Sequence, residues 1–132
     1  MKRVLAAVAV PLCVTLGLIT AAHASANLDC VAKDGNGEFV IEAITSRDGK
    51  YLDSLRGELQ LASGVKVEIE RKDVKSYNWG KNVALVIAKQ TPQGPFELRI
   101  YAKSKDDIAL EGNYVVTAGK LKANGKVTCS GG

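Results

Sequence analysis

From residue 38 to residue 129 the chain alternates apolar and polar side chains, and turn residues interrupt the alternation at regular intervals. Residues 38–44 are rich in Val, Ile and Phe and lead into Arg47-Asp48-Gly49-Lys50, where Asp-Gly is a strong hairpin signal. Leu55, Gly57, Leu59 and Leu61 then alternate with Arg56, Glu58 and Gln60, and Ser63-Gly64 marks the next turn. Val65, Val67 and Ile69 alternate with Lys66, Glu68 and Glu70, the pattern of a strand with one wet face. Residues 71–82 form the longest polar break. Residues 83–88 are a continuous apolar run, which predicts a strand covered on both faces. After the turn at 91–95, Phe96, Leu98, Ile100 and Ala102 alternate with Glu97, Arg99, Tyr101 and Lys103. A turn over 104–107 precedes a strand with Ile108, Leu110, Gly112, Tyr114 and Val116 on one face. Asn124-Gly125 reads as a second hairpin signal leading into residues 126–129, and a short strand around Cys30 precedes a turn at 34–37.

These elements predict an all-β domain, with no segment of 3.6-residue apolar period. Short links between about eight strands imply an antiparallel up-and-down meander. An open sheet would leave two exposed edges, so the expectation is a small closed or nearly closed up-and-down β-barrel filled by its own side chains. The alternative is a two-sheet β-sandwich. Gly57 and Gly112 are candidate bends.

Residues 1–26 have the three parts of a removable export signal: a basic Met1-Lys2-Arg3, an uncharged apolar stretch over 4–20, and small residues at 21–26. Cleavage is expected after Ala26 or Ala24, leaving a single β domain over 27–132. Leu12 precedes Cys13 where a lipid-attachment site needs a small residue. No second apolar run follows, so no membrane span is expected after cleavage. The expected compartment is the periplasm or the medium. The remaining 106 residues hold 16 basic and 14 acidic side chains, a net charge near +2. That balance argues against a nucleic-acid partner. Leu, Ile, Val and Phe contribute 27 of the 106, enough for a folded core.

The only His is His23 and the only Met is Met1, so the exported chain holds neither. His-based catalysis, metal ligation and pH switching are thereby excluded. Cys30 and Cys129 remain, four residues from either end of that domain, and export favours a bond between them. Such a bond requires the two ends to lie side by side. Asp34-Gly35-Asn36-Gly37-Glu38 opens like a calcium loop, but Phe39 and Thr45 stand where that motif needs Gly and Glu. Ser63 and Lys66 have the Ser-x-x-Lys spacing without its companion motifs. Asp106 and Asp107 lie beside Lys103 and Lys105, a turn rather than a pair of catalytic carboxylates. No enzyme, cofactor or metal is expected.

The break at 71–82 is the candidate binding segment. It carries Arg71, Lys72, Lys75 and Lys81 with Ser76, Tyr77 and the only Trp, Trp79. Loops on a rigid scaffold commonly carry binding function, and Trp, Tyr and Arg are enriched in interface hot spots. Read as a loop, it would stack on a glycan or grip a protein partner in the cell envelope; the alternative is Trp79 folded back as a cap on the barrel.

Trp79, Lys81, Ala84 and Leu85 resemble the Trp-x-Lys-Gly-x-Glu-Ala stretch of the bacterial inhibitors of c-type lysozyme, a family of small exported β-barrels. The resemblance spans about ten residues. Asn82 and Ala84 replace the Gly and Glu of that stretch. It implies that Ser76 or Lys81 reaches into an enzyme cleft. The expected function is therefore a non-enzymatic binding or inhibitory module acting through residues 71–82. A carrier of a small apolar ligand, held in a barrel cavity, is the second reading.

Overall fold

The computed structural model describes residues 25–105 and 109–131. Of the segment read as an export signal, residues 1–24 lie outside the described residues, as do Asp106, Asp107 and Ile108. Alternation becomes nine strands: β1 (Ser25–Lys33), β2 (Gly37–Ser46), β3 (Leu52–Leu61), β4 (Lys66–Glu70), β5 (Val74–Trp79), β6 (Asn82–Thr91), β7 (Gly94–Ser104), β8 (Ala109–Ala118) and β9 (Leu121–Gly131). They form one antiparallel sheet in the order β4-β3-β2-β1-β9-β8-β7-β6-β5, curled into a nearly closed barrel. A single sheet excludes the two-sheet sandwich. No α-helix occurs among the described residues, and none is long and apolar enough to cross a membrane.

Each strand after the first reverses the one before, with one exception. β4 is antiparallel to β3 and β5 is antiparallel to β6, so β4 and β5 run the same way. Between them lies a single 3-10 turn, Arg71–Asp73. β4 pairs with the upper half of β3, at residues 56–60. β5 pairs with the lower half of β6, at residues 83–87. The two are one stave of the barrel, kinked halfway, which changes partner at the kink. This is why nine strands stand where the alternation predicted about eight. It also corrects the reading of 71–82 as a loop: the polar break is the kink followed by a short edge strand.

The kink is held by hydrogen bonds rather than by a ladder. Asp73 is buried; its carboxylate accepts the Glu70 N–H at 2.9 Å and lies 3.6 Å from the Lys89 ammonium. The Glu70 side chain accepts the Asp73 N–H in return, a capping box. On either side of the kink one cation spans the gap to a strand carbonyl. Lys89 on β6 donates to Glu68 O on β4 at 2.8 Å, and Arg71 donates through Nε to Leu52 O on β3 at 3.0 Å.

Opposite this seam, β1 and β9 pair over residues 28–31 and 128–131. Cys30 and Cys129 face each other in that ladder and are bonded, with Cα atoms 4.0 Å apart. Such a bond forms and persists in an oxidising environment. Ser25 and Ala26, the last residues of the segment read as a signal, already sit in β1 opposite Ser46 and Thr45.

The inward side chains fill the interior. Ile41, Leu59, Ile69, Leu85, Ile87, Leu98 and Val116 are buried, and Phe39 meets Tyr114 edge-on at 5.1 Å. Among the described residues, concavities of about 250–510 Å3 open on the outer face and the rim. Residues 83–88 are not covered on both faces. Val83, Leu85 and Ile87 point inward and are buried, whereas Ala84, Val86 and Ala88 point outward and are half-exposed.

The upper mouth is closed by the β1–β2 turn. Asp34 accepts the backbone N–H groups of Asn36 at 2.8 Å and Gly37 at 3.2 Å, and the Tyr114 hydroxyl at 3.1 Å. Asn36 donates to Asn124 O at 2.8 Å. Desolvation pushes the Asp34 carboxyl upward, but these donors outweigh it and hold the group below the usual carboxylate range. Gly125 lies beneath. A Cβ there would collide with the Asp34 carboxylate and fall 2.9 Å from the Tyr114 ring. The glycine of Asn124-Gly125 thus serves this close approach and not a hairpin turn. It sits inside β9, and the β8–β9 turn is formed by Gly119 and Lys120.

Replacing Cys30 and Cys129 together by Ser is expected to cost about 4–5 kcal/mol of stability, the chain-entropy value for a closed loop of this length. Urea denaturation of the oxidised, reduced and double-Ser proteins checks this.

Candidate functional site

β5 shows how the seven candidate residues divide. A bulge between Val74 and Ser76 turns both Lys75 and Ser76 outward. Tyr77 and Trp79 then fall on the inward side and pack against the core. The Trp79 ring occupies the place where Gly131 has no side chain, and its carbonyl closely approaches Gly49 in the β2–β3 turn. Trp79 thus plugs the lower mouth, as Asp34 covers the upper one. Arg71 is held at the seam through Leu52 O, and Lys72 pairs with Glu70 at 3.3 Å. Lys81, in the β5–β6 turn, is exposed, and its carbonyl accepts the Ser104 N–H at 3.1 Å. The structure therefore does not bring the seven residues into one aromatic-basic loop. The aromatics face inward, and only Lys75, Ser76 and Lys81 join a common outer surface.

Tyr77 ends in an unmet donor. Its hydroxyl is buried and makes no hydrogen bond among the described residues. Burial pushes it up to about 12, against a weaker opposite pull from the Thr45 hydroxyl. Tyr114 is also raised to about 12, first by burial and then by the Asp34 carboxylate that accepts its proton.

The outward residues of β5 continue into a broad face over β6–β9. Ladder register sets its rows. One row runs Asn78, Ala84, Tyr101, Asn113, Lys126; the next runs Ser76, Val86, Arg99, Val115, Asn124. Lys103 and Glu111 pair on one flank, Glu97, Thr117 and Lys122 on the other. Tyr101 is 46% exposed. Glu97 binds Arg99 at 2.6 Å and Glu111 binds Lys105 at 3.1 Å, so this face's two described carboxylates are both engaged.

Charge separates along the chain. Residues 25–70 carry nine acidic and five basic side chains, a net of −4; residues 71–131 carry five acidic and eleven basic, a net of +6. The first group builds β1–β4, the second β5–β9. Residues 25–131, with a net charge of only +2, thus fold with an acidic side and a basic side. Lys103, Lys122 and Lys126 stand in different rows of this face, with Lys126 roughly 12–14 Å from each of the other two by strand spacing and rise. That is somewhat beyond the screening length of about 8 Å in physiological salt, so they act together on an approaching anion chiefly at low salt.

Sequence reasoning missed Arg99, Tyr101, Lys103, Lys122 and Lys126. The outward direction of Arg99, Tyr101 and Lys103 was legible from the alternation around 96–103, and that of Lys122 and Lys126 was not. What joined them was the β7–β8–β9 register, hidden by reading Asn124-Gly125 as a turn. Compared with protein-family models, curated proteins and solved structures, the chain matches none.

Two stability tests follow from the inward tyrosines and the indole. Tyr114→Phe removes a donor to a carboxylate and is expected to cost about 1.5–3 kcal/mol, whereas Tyr77→Phe removes an unmet donor and is expected to be neutral or stabilising. For both tyrosines the folded value lies above the ordinary 10. Ionising either group in the folded state is therefore penalised, so stability is unaffected by them below pH 10 and falls as pH rises from 10 through about 12. Absorbance titration of the phenolates, followed beside circular dichroism, is expected to show two tyrosines ionising only as the fold is lost.

Trp79→Ala opens the lower mouth and is expected to cost about 3 kcal/mol, the low end of the range for truncating a buried Trp because Trp79 is only partly buried. The emission of Trp79 in the parent protein is expected to be blue-shifted and weakly quenched by acrylamide.

Proposed function

We propose that this protein is a non-enzymatic binding module that grips an anionic partner through the outer face of β6–β9, extended by Lys75, Ser76 and Lys81. The observation that carries the reading is the charge division: among the described residues of 71–131, three acidic and eleven basic side chains belong to β5–β9 and their links, on one side of a barrel whose other side is acidic. A focused positive surface speeds encounter with anions and binds them in a salt-dependent way. The reading keeps part of the candidate segment and moves its centre from β5 to β7. The N-terminal apolar segment and the disulfide together support export to the periplasm or the medium, where the partner belongs to the cell envelope. A carrier needs a chamber, and the filled interior gives that reading no support.

The oxidised protein is expected to be retained on a carboxylate or sulfate polymer at about 10 mM salt, where the screening length is about 30 Å, and released at about 1 M, where it is about 3 Å. Replacing Lys103, Lys122 and Lys126 together by Gln is expected to weaken retention about tenfold or more. Replacing Lys33 and Lys66, on the acidic side, is expected to leave it unchanged. Equal losses from the two sets overturn the proposal.

A further inference from the structure

We infer that the anionic partner is an acidic polysaccharide, with Tyr101 as the platform on which a sugar ring stacks. The inference rests on the proposed use of the basic face and names what that face holds. Tyr101 stands 46% exposed in the middle strand of that face. Its two cross-strand neighbours are Ala84 and Asn113, both shorter than a tyrosine ring. Lys103 and Arg99 lie two residues to either side on β7, about 7 Å along the strand, and Lys126 lies two strands away, about 10 Å across the sheet. Arg99 is held by Glu97, which leaves Lys103 and Lys126 as the cations offered to a ligand beside the ring.

The other neighbours distinguish a glycan from other anions. Asn78, Asn113, Asn124 and Ser76 occupy the two central rows. An amide offers donors and an acceptor together, the complement of a sugar hydroxyl. A lipid surface is met differently, by Trp, Phe and Leu inserted among basic groups. Here the outward apolar residues of the two central rows are Ala84, Val86 and Val115 beside Tyr101. Protein interfaces, for their part, are depleted in lysine at their centre, whereas Tyr101 has Lys103 beside it on β7 and Lys126 two strands away. Carboxylates or phosphates on the sugar chain pair with Lys103 and Lys126, the amides take its hydroxyls, and the ring face takes its C–H groups.

The test compares polygalacturonate with polyglutamate at matched carboxylate concentration, by calorimetry on the oxidised protein at low salt. Polygalacturonate is expected to bind about tenfold more tightly, a difference of 1.4 kcal/mol. Tyr101→Ala is expected to abolish that preference while leaving polyglutamate affinity unchanged, and Tyr101→Phe to retain it. Tyr101 points outward, so neither variant disturbs the core. Equal affinity for both polymers, unaffected by Tyr101→Ala, overturns the glycan assignment and leaves the basic face standing. Tighter binding to phosphatidylglycerol vesicles than to polygalacturonate overturns it in favour of a lipid surface. Binding to neither polymer overturns the basic-face reading itself.

Discussion

The Cys30–Cys129 bond lies in the ladder between β1 and β9, and the two halves of the molecule meet there. β1–β4 and β5–β9 are each a run of consecutive hairpin-linked strands. The β1–β9 ladder and the kink at 71–73 join them through the main chain, and side-chain contacts such as Tyr114–Asp34 and Lys89–Glu68 O cross between them. The ladder is short, covering 28–31 against 128–131, and its pairings span nearly the whole described chain. Contacts of such separation form only after a large loss of chain entropy. The covalent bond removes that loss from the balance once it has formed. A small domain draws limited stability from its core, so the fold depends on this closure more than on any single buried side chain.

The seam opposite is closed by different means. A sheet edge invites pairing with other chains. Here each edge is short: five residues in β4 and six in β5. A bulge distorts β5 near its start, and Lys72 and Lys75 add charge beside it. Arg71 and Lys89 fill the two half-gaps with hydrogen bonds to main-chain carbonyls. The kink permits this arrangement, since one stave serves β3 in its upper half and β6 in its lower half. Asp73 is the residue on which the kink turns, because it answers a backbone N–H and faces the bridging lysine at once.

Much of this was readable in the sequence. Period-two alternation gave the strands, Asp48-Gly49 and Ser63-Gly64 gave turns, and the paired cysteines gave closure. Three things were hidden, each because a tertiary contact decided it. Asn124-Gly125 has the composition of a turn, yet Gly125 is small to admit Asp34, a residue 91 positions away in the chain. The polar run at 71–82 has the composition of a loop, yet Tyr77 and Trp79 alternate with Ser76 and Asn78 closely enough to form an edge strand. The candidate face draws on β7, β8 and β9, so its members become neighbours only through register. Local composition reports which way a side chain points; it does not report what lies across from it.

The closure also changes what a cut in the chain can do. With Cys30 and Cys129 joined, everything between them is a covalent ring. A single hydrolysis at any exposed turn opens that ring without releasing a piece, because both new ends stay tied through the disulfide. Protease attack in an extracellular medium must therefore succeed twice, or follow reduction, before any strand can leave the barrel.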